Sequence, residues 1–472
     1  MLDVLIQNAR VLQDGRLVPA EILIEDGKIK GIAKEFRVSS YDDRIDAKNN
    51  VVIPGGIDVH VHFRDPGLTY KEDWYSGSCS AAAGGITSVL EHPNTIPPVS
   101  DKTGFSLKFK RAKKKSVIDF GINGGVTNNI ENLKDLWRRG VSVFGEIFMA
   151  ESTGGLNISQ ETLGGALSKI GELGALACIH AEDEALRLEN EELLKNDSGI
   201  DVHSRIRPNE CEEKAVLDCL NINKNAKTPA RLHFCHTSTP EAVRLISKAQ
   251  KESPSSKSGK ITCEVAPHHL FLSTGDYPKL KTLGKMNPPL RSSDDAAFMI
   301  QALNSGLIDI VASDHAPHMH YEKDTAMCSA PSGVPGVETL MPLMLAAVRK
   351  NMFTLERVID VTSRNPAAIF GLARLNKGFM GEGFDADLLF FNPKNVVPIR
   401  AKNLHTRCDW TPYEGMDGIF PEMTLSRGDV VWDGDQIVSK KGRGQFLPGA
   451  GLVTDEDGKM ILEDDTDEED EE

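Results

Sequence analysis

No stretch of the sequence approaches the ~18 consecutive apolar residues of a membrane-spanning helix. Its start, Met1-Leu2-Asp3-Val4-Leu5-Ile6, lacks the basic residues and long apolar run of a secretory leader. Membrane insertion and export are therefore not expected. The eight cysteines (Cys79, Cys178, Cys211, Cys219, Cys235, Cys263, Cys328 and Cys408) include no C-x-x-C pair and do not cluster. They read as buried thiols in a reducing, cytoplasmic compartment. A basic surplus is missing as well: 54 lysines and arginines face 69 acidic residues, for a net charge of -15. The one basic run, Lys108-Phe109-Lys110-Arg111-Ala112-Lys113-Lys114-Lys115, holds a single aromatic and precedes a strand candidate. It reads as a solvated helix end, and no nucleic-acid partner is expected. The net charge is also localised, since Asp455 to Glu472 carry twelve acidic residues and one lysine. That tail reads as solvated and disordered, and the body keeps only four net negative charges.

What remains is ordinary globular material, 40% hydrophobic and 26% charged over 472 residues, enough for a large domain and a smaller companion. Near the start, Val4-Leu5-Ile6, Glu21-Ile22-Leu23-Ile24 and Gly27 to Ala33 form short alternating runs punctuated by glycine, the texture of antiparallel strands. The same texture returns in Ala386 to Phe391 and Asp429 to Gly434, so the two ends are expected to pair. Between them lie eight apolar strand candidates, each followed by a helical stretch: Ile57 to Phe63, Thr87 to Leu90, Val117 to Phe120, Val141 to Met149, Ala175 to Ile179, Arg231 to Cys235, Ile261 to Val265, and Ile308 to Ala312. Eight such units predict an α/β protein built on a (β/α)8 barrel. The expected organisation is a small β-sandwich domain from residues 1–53 and 379–453, a barrel over 54–378, and an acidic tail over 454–472.

Catalytic groups of such barrels sit at the C-terminal ends of the strands. His60 and His62, two apart at one strand end, point the same way and can share a metal ion. H-x-H alone is weak evidence. Later strand candidates, however, also end in metal-ligand types: Glu146, His180, His236 and Asp314. Five successive sites on one barrel rim are hard to explain by core packing.

The motifs Pro54-Gly55-Gly56-Ile57-Asp58-Val59-His60-Val61-His62-Phe63-Arg64-Asp65-Pro66-Gly67, His92-Pro93-Asn94-Thr95, Ile179-His180-Ala181-Glu182-Asp183, His233-Phe234-Cys235-His236-Thr237-Ser238, Pro267-His268-His269 and Ala312-Ser313-Asp314-His315-Ala316-Pro317-His318 follow one another in this order. Together they closely resemble dihydroorotases of the amidohydrolase superfamily, over nearly the whole chain. The resemblance implies a zinc-dependent cyclic amide hydrolase acting on dihydroorotate and N-carbamoyl-L-aspartate. It makes His60 and His62 ligands of a first zinc, His180 and His236 of a second, and Asp314 both a ligand and the proton shuttle. Arg64 and Asn94, helped by His318, match positions that hold the substrate carboxylate. Asn287 and the loop Ala330-Pro331-Ser332-Gly333 match segments lining the pyrimidine ring. His268, His269 and His315 are expected to donate hydrogen bonds that hold loops or ligands, and His203, His233, His320 and His405 are given no role.

Arg64 separates this chain from dihydropyrimidinases and allantoinases, whose rings carry no carboxylate at that place. Its planar guanidinium supplies the bidentate grip a carboxylate takes. One position departs from many relatives: where they bridge two metals with a carbamylated lysine, this chain has Glu146 and no neighbouring lysine. A glutamate offers the same charge on a shorter arm, so two zinc ions are expected and one is the alternative. The resemblance also leaves open a homodimer, association with an aspartate transcarbamoylase, another cyclic amidase such as an allantoinase, and a non-catalytic scaffold.

Overall fold

The computed structural model describes residues 4–37, 41–150, 156–252 and 260–454. The acidic tail from Asp455 onward lies outside the described residues.

The chain opens with β1 (Val4–Gln13), β2 (Arg16–Glu25) and β3 (Lys28–Ala33), an antiparallel meander. The two-residue links Asp14-Gly15 and Asp26-Gly27 have positive φ throughout (49° and 73°, 50° and 74°). Such turns match the right-handed twist of paired strands, and Asp-Gly adopts them at little cost. Two further strands, β4 (Asp43–Asp46) and β5 (Val51–Pro54), lie beside β1. Both pair with it in parallel, which differs from the antiparallel pattern the alternation predicts. Alternation specifies a half-buried face but not the direction of the neighbour.

The central region supplies β6 (Gly56–Val61), β7 (Ile86–Glu91), β8 (Asp119–Ile122), β9 (Phe144–Phe148), β10 (Leu176–His180), β11 (Arg231–Phe234), β12 (Ile261–Val265) and β13 (Ile310–Val311). All eight strand candidates are present, and their ladders are parallel. Gly124 joins β8 to β9, donating to Val143 O and accepting from Gly145 N, both at 2.9 Å. His62 N donates to His315 O at 2.8 Å, joining β6 to the segment after β13 and closing the ring. The chain then returns through β14 (Leu388–Phe391), a short β15–β16 ribbon (Val397–Pro398, Asp417–Gly418), β17 (Met423–Ser426) and β18 (Asp429–Trp432). Because β14 pairs with β5, the two ends of the chain form one mixed eight-stranded sheet. Its core gathers Ile6, Val11, Ile22, Ile24, Leu388, Phe390 and Leu425.

Inside the barrel, Ile57, Val59, Leu90, Leu176, Cys178, Ile310 and Ala312 form an apolar layer. Ala367, Ile369 and Phe370 close it at the end where the strands begin, and Arg231 Nη2 donates to Ile369 O there. This leaves the opposite end for polar groups. Strand β6 shows how: Ile57 and Val59 pack inside, whereas Val61 and Phe63 pack among the outer helices. The β6–β7 register shifts between Asp58 and Val61, a bulge that switches faces and turns His60 and His62 toward the barrel axis.

The basic run departs from expectation. It ends the helix Lys102–Lys115, but Lys108 is fully buried, ion-paired with Glu91 and donating to His92 O at 2.7 Å. Lys115 donates to Asp65 Oδ2 at 2.6 Å. Phe105, Phe109 and Ala112 turn that helix face inward and take Lys108 with them. Seven cysteines are buried as free thiols, and Cys328 is exposed. Among the described residues no helix is long and apolar enough to cross a membrane.

Candidate active site

At the C-terminal rim of the barrel, Glu146 stands among four imidazoles. Its Oε1 lies 3.0 Å from His180 Nδ1 and 2.7 Å from His236 Nε2. Its Oε2 lies 3.5 Å from His60 Nε2 and 3.7 Å from His62 Nε2. Asp314 Oδ1 approaches the same two nitrogens at 3.4 and 3.3 Å. The structure thus brings together His60, His62, Glu146, His180, His236 and Asp314, all buried. Arg64, His236 and Asp314 have positive φ (62°, 29° and 48°). Each such non-glycine residue costs on the order of 1–3 kcal/mol, and the strain falls at the strand ends that aim these groups into the site.

The far side of each ring explains its orientation. His60 Nδ1 donates to Glu264 Oε1 at 2.5 Å, and His62 Nδ1 donates to Asn94 Oδ1 at 2.7 Å. His180 Nε2 donates to Glu182 Oε2 at 2.8 Å, and Arg207 Nη1 donates to the same oxygen at 2.5 Å. An imidazole that donates from one nitrogen presents the lone pair of the other, the arrangement found behind metal-ligating histidines. Glu264 also accepts from His233 Nε2 at 3.0 Å and from His236 N at 3.2 Å. Below the cluster, Asp58 accepts from Ser313 N at 3.0 Å, and burial pushes its carboxyl up to about 7.

The donor set fits a divalent cation. His60 Nε2 is buried without a hydrogen-bond partner, and His60, His62 and Asp314 offer atoms within 4.8 Å of one another, as do His60, Glu146 and His236. Burial raises the carboxyls of Asp314 and Glu146, but the adjoining imidazoles, His60 foremost, outweigh it and hold both well below the ordinary carboxylate range. Ionised carboxylates with imidazole nitrogens in a buried cluster are ligand chemistry.

A cavity of about 490 Å³ opens over this cluster and is lined by Arg64, Asn94, Asn287, His318 and the loop Ala330 to Gly333. Arg64 is buried, with Nε donating to Pro317 O at 3.4 Å and Nη2 3.2 Å from His318 Nε2. Asn287 Oδ1 accepts from His203 Nε2 at 2.9 Å. The loop passes close over His318: a Cβ on Gly333, whose φ is 134°, would meet Ala316 O at 2.5 Å. Asn94 lines the cavity while its Oδ1 holds His62, so one side chain faces both His62 and the pocket.

Sequence reasoning passed over Glu264, Glu182 and Arg207. An acid inside the apolar run Ile261-Thr262-Cys263-Glu264-Val265 is a signal that could have found the first. The other histidines divide. His269 Nε2 donates to Pro288 O at 3.1 Å, as expected of a loop-holding residue. His315 instead accepts at Nδ1, from Gly336 N at 3.1 Å, and neither nitrogen of His268 has a partner among the described residues.

A closed parallel barrel with histidines and carboxylates gathered at its C-terminal rim defines a barrel hydrolase of the metal-dependent kind. The amidohydrolase family model matches residues 51–426. The chain is 58% identical to a dihydroorotase of Methanosarcina acetivorans, over 97% of this chain and 98% of the relative. It is 42% identical to a dihydroorotase of Halobacterium salinarum, over 92% and 97%. Among solved structures, an L-hydantoinase (dihydropyrimidinase) from Arthrobacter aurescens superposes with a TM-score of 0.89 at 30% identity, covering 95% of this chain and all of that one. A dihydropyrimidinase from Brevibacillus agri gives 0.87 at 27%, covering 96% and all of it. The chain belongs to the amidohydrolase family and, within it, to the dihydroorotases.

Proposed function

We propose that the chain is a dihydroorotase of pyrimidine biosynthesis, interconverting dihydroorotate plus water and N-carbamoyl-L-aspartate. One observation carries this choice over other cyclic amidases. Arg64 is buried on the cavity wall, and among the described residues no carboxylate lies within ion-pair distance of it. A buried guanidinium without an anion is costly, and a substrate carboxylate removes that cost. The full-length likeness to dihydroorotases supports the same substrate.

His60, His62, Asp314, His180, His236 and Glu146 would hold zinc, as two ions or as one. A zinc ion there supplies a Lewis acid that polarises the ring carbonyl and makes a water acidic near neutral pH. The protein's own part is orientation and proton movement. Arg64, the Asn94 amide and His318 hold the ring carboxylate, which fixes the scissile amide over Asp314. Asp314 accepts the proton of the attacking water and delivers it to the ring nitrogen as the C–N bond breaks. Ring closure of N-carbamoyl-L-aspartate uses the same groups in reverse. Asn287 and the loop Ala330 to Gly333 border the ring. Steady-state assays of the purified protein on dihydroorotate, allantoin and dihydrouracil test this reading, and preferred turnover of either carboxylate-free ring overturns it.

A further inference from the structure

Lys71 lies in the loop between β6 and the helix Trp74–Ala83, and neither the metal cluster nor the proton path uses it. It is nonetheless buried. Its Nζ lies 3.0 Å from His318 Nδ1 and 2.9 Å from Glu322 Oε1, and Tyr70 Oη donates to that same glutamate oxygen at 3.1 Å. An ammonium has three donors and no acceptor. Nδ1 of His318 must therefore accept, and the ring proton must sit on Nε2.

That placement changes the meaning of the contact between His318 and Arg64. With a proton on Nε2, the 3.2 Å approach of Arg64 Nη2 brings two donors together. Neither can bond the other. The Nε2–H instead donates to Ser332 O at 3.0 Å, in the loop over the pocket. Burial and the positive neighbours Arg64 and Lys71 hold His318 well below its ordinary pKa, so it stays neutral and keeps one tautomer.

We infer that Lys71 is a positioning residue for substrate recognition: it fixes His318 as the Nε2–H tautomer, so that imidazole and guanidinium present converging donors to one carboxylate. The inference rests on the reading of this pocket as a carboxylate site. On binding, the Nε2–H exchanges the Ser332 carbonyl for a substrate oxygen. Without Lys71 the proton is free to move to Nδ1, toward Glu322, whose Oε2 is 3.9 Å away. His318 would then turn a lone pair toward the anion.

The test uses zinc-loaded Lys71→Met, Lys71→Gln and Lys71→Arg, with ¹⁵N-histidine spectra beside steady-state kinetics. Lys71→Met is expected to raise KM for dihydroorotate by about tenfold with kcat changed by less than about threefold, the pattern of lost uniform binding. The His318 ¹⁵N shifts should move from the Nε2–H pattern toward a mixture. Lys71→Gln and Lys71→Arg keep a donor and should restore the wild-type tautomer and most of the KM. An Nδ1–H pattern in the wild type, or an unaltered tautomer in Lys71→Met, overturns the inference. A wild-type enzyme that shows the Nε2–H pattern yet ignores dihydroorotate defeats the substrate reading, and with it the recognition role of Lys71, while the tautomer assignment stands.

Discussion

His60 Nδ1 donates to Glu264 Oε1 at 2.5 Å, and this contact decides which nitrogen of the ring faces Asp314 and Glu146. Glu264 lies on β12, between the strands that lead to His236 and Asp314, and is not among the residues lining the cavity, yet it also holds His233 and the backbone of His236. Glu264→Gln keeps the shape while removing the charge and two acceptor sites. It should weaken zinc binding by about 10–100-fold, the usual effect of losing a carboxylate behind a ligating histidine. Metal titration by competition with a chromophoric chelator measures it, and an unchanged affinity would remove Glu264 from the account.

Glu146 touches all four imidazoles, so Glu146→Ala should lower zinc bound per chain. Elemental analysis of the purified variant beside the wild type reads this directly. Equal metal content in the two would remove Glu146 from the metal site.

Asp314→Asn keeps the side-chain shape but cannot take a proton. Dihydroorotate turnover should fall below detection while the circular-dichroism melt stays close to that of the wild type. Retained turnover would show that another group moves the proton.

Much of this site was legible because ligand types recur at strand ends, a one-dimensional pattern that the barrel turns into a ring. His60, His62, Glu146, His180, His236 and Asp314 were found that way, and their cluster follows from closure of the barrel. The fold was legible for a related reason, since eight short apolar runs separated by helical stretches have few ways to bury both faces. What stayed hidden depends on contacts between distant segments. Lys108 looked solvated because its neighbours are lysines and arginines; only the partner strand shows Glu91 waiting for it. The parallel pairing of β1 with β4 and β5 was hidden because alternation carries no strand direction. Lys71 gave no signal either, as its role exists only through His318, almost 250 residues away in sequence.

Beyond the site, Lys377 anchors the small sheet to the barrel. Its Nζ meets Asp119 Oδ2 at 2.5 Å, Asp385 Oδ2 at 2.8 Å and Asp387 Oδ2 at 2.9 Å, with Lys377, Asp119 and Asp387 buried. Asp119 belongs to β8, whereas Asp387 precedes β14. Lys377→Met leaves three carboxylates facing one another, with Arg427 beside Asp119 and Lys28 beside Asp385 as the remaining cations, and should cost about 3 kcal/mol, the lower end of the usual penalty for breaking a buried ion pair. Urea unfolding measures this, and a loss below about 1 kcal/mol would mean that Arg427 and Lys28 neutralise the carboxylates without the ammonium.

The central claim is that Arg64 selects a ring bearing a carboxylate. Its most direct test compares wild type with Arg64→Met on dihydroorotate and on dihydrouracil, which differ in that group alone. The account predicts that the wild type strongly prefers dihydroorotate and that the variant loses about 2–5 kcal/mol in kcat/KM for it. Activity on dihydrouracil should be little changed. An equal loss on both rings, or no loss on dihydroorotate, would contradict it.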